Sequence, residues 1–267
     1  MTVLMAIGGN MRLDGEIARE FLRRSGGSDA RLVVIPAASS RSNGGAEFIQ
    51  VWHDMGLKVP PVMLPVHERA DSFEAQHIGT IQQATGIFFT GGNQLRLTTV
   101  LAGTPLQEAI LDVFRQGTVV AGTSAGAGVM GRIMISGGKT STGARFGTAQ
   151  FAEGLGFYES LLFDQHFYQR NRIGRLIYAV TLHPHLLGVG LDEDTAAILV
   201  DGRMTVIGKR VVTIIDGQDI MSTNIDQVKS GAWFGVSCLR LHQLTDGCQF
   251  DIASRVATIQ RQPLQPD

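Results

Sequence analysis

The chain has 267 residues, of which 44% are hydrophobic, and its formal net charge is -1. The apolar fraction is ample for a folded core, and the near-zero charge excludes a whole-protein field that attracts nucleic acid or an anionic membrane. We therefore expect neither as a partner. No apolar run approaches the length of a membrane span, and the first residues lack the pattern of a signal peptide, so we predict a cytoplasmic protein.

The two cysteines, Cys238 and Cys248, lack the spacing of a zinc site, and we predict no metal or other cofactor.

Short apolar runs alternate with helical patterns along the first half of the chain. The runs are residues 3–7, 32–35, 87–90 and 119–122. This alternation predicts βαβ units, and hence an α/β fold with a mostly parallel sheet sandwiched by helices. One helix is predicted over Pro105–Arg115, with Thr104 as its N-cap and Gln107 completing a capping box.

The pattern changes in the second half of the chain. Residues 137–147 are small, polar and glycine-rich, which predicts a long loop that could lie over a site. Strands are predicted at 161–163, 189–191 and 196–200, with a helix over 172–180 and antiparallel strands from Thr205 onward. We predict one domain over residues 1–267, with a catalytic core at 1–215 and a β-rich extension of it at 216–267.

A serine stands at a predicted strand-to-helix turn, in Gly122-Thr123-Ser124-Ala125-Gly126. Glycines two residues to either side of Ser124 allow a backbone turn tight enough to expose the hydroxyl, as in a nucleophile elbow. The five residues fit a nucleophilic serine and a serine that only caps the next helix equally well.

Sheets of this kind place their sites at the carboxyl ends of the strands. His166 follows the predicted strand at 161–163 and can act as the base for Ser124, and Glu193 or Asp192 can orient its ring. The chain order is then Ser, His, acid, whereas an ordinary α/β-hydrolase has the histidine last. That alternative would need a late histidine such as His242.

Two further sets of residues fit an acyl-transfer site. The backbone N–H groups of Ala125 and Gly92 are candidate donors to an oxyanion. Arg170, Arg172 and Arg175 follow His166 closely, and their guanidinium groups could bind the carboxylates of an anionic substrate.

Four segments together resemble the cyanophycinases, which belong to the serine peptidase family that also contains aspartyl dipeptidase. The segments are Phe89-Thr90-Gly91-Gly92-Asn93-Gln94, Gly122-Thr123-Ser124-Ala125-Gly126-Ala127, Asp164-Gln165-His166-Phe167 with Arg170, Arg172 and Arg175, and Gly190-Leu191-Asp192-Glu193-Asp194-Thr195-Ala196. The resemblance extends from the first strand to about residue 215. One departure is Asn93, where the family often has Asp.

The resemblance implies a fold similar to class I glutamine amidotransferases and a Ser-His-Glu triad. Ser124 would be the nucleophile, His166 the base and Glu193, rather than Asp192, the orienting acid. The implied substrate pocket contains Gln94, Asp164, Gln165, Arg170, Arg172 and Arg175.

The implied reaction is the hydrolysis of cyanophycin, a poly-aspartate with arginine on its β-carboxyls, to β-Asp-Arg dipeptides. The arginine cluster would hold the free carboxylate of an arginyl unit, and Asp164 would meet its guanidinium. The alternatives are an aspartyl dipeptidase or other peptidase of aspartyl-containing peptides, and a non-catalytic amidotransferase-like binding protein. The apolar late strands also make us expect a homodimer.

Overall fold

Strands and helices alternate through the first half of the chain. The computed structural model describes residues 1–41, 44–140 and 143–260. Within these ranges the strands are β1 Val3–Ile7, β2 Leu32–Ile35, β3 Val62–Met63, β4 Gly86–Phe89, β5 Val119–Thr123, β6 Ile133–Gly138, β7 Ala149–Glu153, β8 Leu161–Gln165, β9 Leu187–Leu191, β10 Thr195–Val200, β11 Arg203–Gly208, β12 Val212–Asp216, β13 Arg240–Leu244, β14 Gln249–Asp251 and β15 Val256–Thr258. The helices are α1 Glu16–Arg24, α2 Ala46–Asp54, α3 Ala75–Gln82, α4 Gln94–Leu101, α5 Pro105–Arg115, α6 Ala125–Gly128 and α7 Ile173–Leu182. None of these helices is long and apolar enough to cross a membrane.

A nine-stranded sheet forms the centre of the fold, in the order β15-β14-β11-β10-β1-β5-β4-β2-β3. The strands from β1 to β5 are parallel to one another. On the other side of β1, the late strands β10, β11, β14 and β15 pair antiparallel. The predicted fold class, a mostly parallel sheet between helices with antiparallel C-terminal strands, is confirmed.

Helices cover both faces of this sheet because its central strands are apolar on both sides. In β1, Leu4 and Ala6 belong to a core shared with α4 and α5, whereas Met5 and Ile7 belong to a core shared with α1 and α2. Successive side chains of a strand point to opposite faces, so a continuous apolar run requires cover on each face.

A second sheet of four strands, in the order β13-β12-β9-β8, is the main feature that the sequence analysis does not predict. Strands β8 and β9 are parallel, and β12 and β13 extend the sheet antiparallel. The two sheets share buried side chains, since Leu161, Phe163 and Val189 belong to the same core cluster as Leu4. The single domain over residues 1–267 stays a prediction.

The predicted loop at 137–147 is partly a hairpin instead. Strands β6 and β7 pair antiparallel, and they include Gly137 and Gly138. Ser141 and Thr142 of the predicted loop lie outside the described residues. Beyond them, the Arg145 guanidinium lies 3.8 Å from the centre of the Trp233 ring.

Candidate active site

Ser124 occupies the sharp turn between β5 and α6. Its φ is 53° and its ψ is -112°, a conformation that L-residues rarely adopt and that surrounding contacts must hold. Its amide donates a 2.9 Å hydrogen bond to the carbonyl oxygen of Ile7 at the end of β1. Only glycine fits at position 126, because a Cβ there would lie 2.5 Å from the carbonyl oxygen of Phe89. The local sequence thus turns the serine hydroxyl out at the carboxyl end of the sheet.

Side chains from three strand ends form a hydrogen-bonded chain. Ser124 Oγ lies 2.8 Å from Nε2 of His166, and Nδ1 of His166 lies 2.7 Å from Oε1 of Glu193. Ser124 follows β5 of the large sheet, whereas His166 and Glu193 follow β8 and β9 of the second sheet. In this arrangement an imidazole can take the hydroxyl proton while a carboxylate holds its other nitrogen.

Asp192, the alternative acid, and His242, the alternative histidine, make other contacts. Asp192 is 4% exposed, and its Oδ1 accepts a 2.9 Å hydrogen bond from the backbone N–H of Tyr168. His242 lies on β13, with its ring centre 5.2 Å from that of Phe250. Ser124 is bonded to His166, so the order of an ordinary α/β-hydrolase does not apply.

The turn after β1 supports the histidine and the glutamate, and the sequence analysis does not identify it. The carbonyl oxygen of Gly8 accepts a 2.8 Å hydrogen bond from the His166 amide, and Asn10 Nδ2 donates to Glu193 Oε2 at 3.1 Å. Gly9 lies against the imidazole, where a Cβ would be 2.3 Å from Cε1 of His166. The sequence does contain a signal that could have identified this turn, because Gly8-Gly9-Asn10 directly follows the first apolar run and so stands at a predicted strand end.

The surroundings favour the protonation states that general-base chemistry requires. Burial lowers the pKa of His166, the positive charges of Arg170 and Arg172 lower it further, and Glu193 opposes them. The hydrogen bond with His166 lowers the pKa of the Glu193 carboxyl, and the one from Asn10 adds to this effect. At neutral pH the imidazole is therefore uncharged and the carboxylate ionised.

The Gly91-Gly92 turn passes close to the serine. A Cβ on Gly91 would lie 3.3 Å from the Cβ of Ser124, and a Cβ on Gly92 would meet the Ala38 carbonyl oxygen at 2.1 Å. Gly92 also has a φ of 144°, which a residue with a side chain rarely adopts. Ala125 is the first residue of α6, directly after Ser124. The oxyanion role of the Gly92 and Ala125 N–H groups stays a prediction.

Comparison with known proteins places the chain in a family. The model of peptidase family S51 matches residues 3–207. The chain belongs to this family. It is thus a serine-type peptidase.

Curated relatives cover nearly the whole chain. A cyanophycinase of Trichormus variabilis is 40% identical over 259 residues, which are 95% of this chain and 87% of that protein. A cyanophycinase of Geminocystis herdmanii is 39% identical over 254 residues, with 94% and 93% covered. The solved structure of a peptidase from an acI-B1 actinobacterium superposes with a TM-score of 0.65 at 23% identity, covering 94% of this chain and 97% of that one, which shows a shared fold.

Four residues predicted for the substrate pocket, Asp164, Gln165, Arg172 and Arg175, are buried and contact one another. Asp164, at 0% exposure, accepts hydrogen bonds from Nε and Nη2 of Arg175, and Nη1 of Arg172 reaches it at 3.2 Å. Arg172 also donates to the backbone and side-chain oxygens of Gln165. Because its carboxylate is occupied, Asp164 would meet a substrate guanidinium only if these pairs opened. Substrate contact stays a prediction for all four residues.

Arg172 differs from Arg175 within this buried cluster. Burial lowers the pKa of Arg172 to about 10, with Asp164 acting in the opposite direction, so the group stays charged at neutral pH. Arg172 also has one buried donor, Nε, without a hydrogen-bond partner among the described residues.

The other two predicted pocket residues lie nearer the surface. Gln94 is half-buried, and its Nε2 donates a 3.0 Å hydrogen bond to the carbonyl oxygen of Ile135 on β6. Arg170 is exposed one turn after His166. Asn93, which departs from the family pattern, is the N-cap of α4 and accepts from the amides of Leu95 and Arg96. An Asp would accept the same two bonds, so the departure has a structural explanation.

The cleft beside Ser124 has a volume of about 870 Å³. Ser124, His166 and Glu193 all line it. None of the six predicted pocket residues is among its lining side chains. Other lining residues come from the turn after β1, the connection between β2 and α2, the first turn of α2 and the end of β4. They include Asn10, Met11, Leu13, Ser39, Arg41, Glu47, Phe48, Thr90 and Gly91.

Proposed function

We propose that this chain is a cytoplasmic serine exopeptidase that hydrolyses cyanophycin to β-Asp-Arg dipeptides. The observation that carries the proposal is the hydrogen-bonded chain from Ser124 through His166 to Glu193. The substrate is suggested by relatives named cyanophycinase that are 40% identical over 95% of the chain. A homodimer is part of the same proposal, to be tested by light scattering after size exclusion, and the cytoplasmic location by cell fractionation.

In the proposed mechanism, His166 Nε2 takes the proton of Ser124 as Oγ attacks the carbonyl carbon of an aspartyl peptide bond. Glu193 keeps the proton on Nδ1 and stabilises the imidazolium that forms. The N–H groups of Gly92 and Ala125 hold the developing oxyanion. His166 then protonates the departing amine. Water, activated by the same histidine, hydrolyses the acyl-enzyme and restores the serine.

The decisive experiment compares Ser124→Ala with Ser237→Ala on purified cyanophycin, with products identified by mass spectrometry. Ser237 is a matched control because it is a serine of the same chain whose hydroxyl bonds to Ser222 and which does not line the cleft. We expect β-Asp-Arg release by the wild type and Ser237→Ala, and none that can be detected from Ser124→Ala. Release by Ser124→Ala at the wild-type rate would refute the mechanism.

The rival functions give different results in the same assay series. An aspartyl dipeptidase would cleave Asp-X dipeptides faster than the polymer. A binding protein without activity would leave Ser124 unlabelled by a fluorophosphonate probe, whereas the proposed peptidase labels stoichiometrically.

A further inference from the structure

We propose that Arg41 and Glu47 form a second substrate subsite, which recognises the zwitterionic arginyl side chain of a unit neighbouring the scissile bond. The proposal rests on the proposed function, because it assigns the recognition of the polymer at the same cleft. Arg41 would bind the arginyl carboxylate, and Glu47 would bind the guanidinium.

Both residues line the cleft of about 870 Å³ that contains Ser124. They come from the β2–α2 connection and the first turn of α2, so neither belongs to the buried cluster around Asp164. Among the described residues, neither side chain forms an ion pair or a side-chain hydrogen bond, and both are exposed. In contrast, Arg23 and Arg24 both pair with Glu20 on α1. The cleft therefore holds one cation and one anion available to a ligand.

An apolar surface lines the same cleft. Met11, Leu13 and Phe48 all line it, with half-buried Leu13 offering more surface than Met11 and Phe48, which are each 7% exposed. The aliphatic stem of an arginine packs well on such a surface while its charged end reaches a carboxylate. A ligand with a methylene chain and two opposite charges matches this surface better than a plain acidic peptide.

The cleft continues past Arg41. A neighbouring cavity of about 620 Å³ shares Ser39 and Arg41 with it and is also lined by Gly92 and Arg96. Arg41 thus stands at the junction of two cavities, and Arg96 adds a second guanidinium along the path. Clefts of these sizes accept drug-sized ligands, which leaves room for more than the reacting unit. A polymer with one carboxylate and one guanidinium per unit complements this arrangement.

The test measures binding without turnover, in a Ser124→Ala background, by calorimetry with a soluble β-Asp-Arg oligomer. Adding Glu47→Gln or Arg41→Gln should raise Kd roughly 5-fold to 10-fold. This loss of affinity lies between that expected from losing an exposed ion pair and that from losing a hydrogen bond to a charged group. The matched controls are Glu159→Gln and Arg132→Gln, whose exposed side chains lie 3.8 Å apart and line a different cavity. These controls should bind as the parent does.

Two modified oligomers test which charged group of the substrate each of the two residues binds. With citrulline in place of arginine, the effect of Glu47→Gln should vanish, since no guanidinium remains. With the arginyl carboxylates amidated, the effect of Arg41→Gln should vanish. An unchanged Kd for both variants on the arginine oligomer, or equal losses on all three oligomers, would overturn the subsite.

Steady-state kinetics separates this result from a failure of the proposed function. Cleavage of the arginine oligomer by the wild type, with the same KM in Glu47→Gln, overturns the subsite alone. No cleavage by the wild type overturns both proposals. Unchanged thermal midpoints in both backgrounds, together with unchanged fluorophosphonate labelling rates of the variants that keep Ser124, exclude misfolding as the source of any loss.

Discussion

Gly9→Ala should lower the kcat of the peptidase about 100-fold, although position 9 contributes no side chain to the reaction. The new Cβ would lie 2.3 Å from Cε1 of His166 and 2.6 Å from Nε2. Ordinary contact begins near 3.4 Å, so the ring has to move by about 1 Å. A shift of that size breaks the 2.8 Å hydrogen bond between Nε2 and Ser124. A displacement of about 1 Å costs on the order of 100-fold in rate.

The matched control is Gly56→Ala. Gly9 has a φ of +104° and Gly56 one of +89°, but a Cβ on Gly56 would meet nothing within 4 Å. Both substitutions strain the backbone, at about 1–2 kcal/mol. Only Gly9→Ala displaces the imidazole. The comparison thereby separates a general loss of stability from a loss of catalytic geometry.

The assay combines kcat on cyanophycin, the rate of fluorophosphonate labelling and the free energy of unfolding in urea. We expect Gly56→Ala to be less stable with wild-type kcat, and Gly9→Ala to lose about 100-fold in kcat and in labelling rate. A Gly9→Ala enzyme with a kcat within about 3-fold of wild type, at a temperature where it is folded, would refute the reasoning.

Three further predictions concern the groups around the triad. Asp164→Asn should lower the free energy of unfolding by about 3 kcal/mol in urea titrations, because two buried guanidiniums lose their anion, whereas the exposed Asp112→Asn should change it by less than about 1 kcal/mol. The acid limb of kcat/KM should lie below pH 6.5, because His166 must be neutral and its pKa is lowered. Arg170→Gln removes a positive charge that disfavours the imidazolium, so the limb should move to higher pH, and an unmoved limb would contradict this. Asn93→Asp should keep wild-type stability, whereas Asn93→Ala should lose about 1 kcal/mol in thermal or urea unfolding; equal loss in both would refute the capping role.

Local features were predictable because short-range sequence determines them. The helix Pro105–Arg115 has the predicted bounds, and Thr104 accepts a hydrogen bond from the Gln107 amide as an N-cap does. The Gln107 side chain differs in detail, since it accepts from Gly103 N–H rather than from the cap residue. The turn at Ser124 likewise follows from an apolar run and two glycines, whose conformational freedom is local.

Contacts between segments far apart in the chain decided where the histidine and the glutamate lie. His166 and Glu193 follow two strands of the second sheet, and the pairing of β8 with β9 brings these residues together. The hydrogen bond from the His166 amide to Gly8 holds the histidine at the end of β1, beside Ser124. The sequence shows that these residues end strands, but not which sheet each strand joins. Fixing the imidazole also requires the Gly8-Gly9 turn, which is far from it in the chain.

The three arginines after His166 show most clearly what the sequence alone could not predict. Arg170, Arg172 and Arg175 are equivalent in composition and lie within six residues of one another. Packing leaves Arg170 exposed and buries the other two on Asp164. Residue type and spacing therefore indicated the chemistry of the site, a serine, a histidine and an acid at strand ends. Burial, which depends on every element packed around a side chain, determined which of these charges stay exposed and which pair with Asp164 inside the protein.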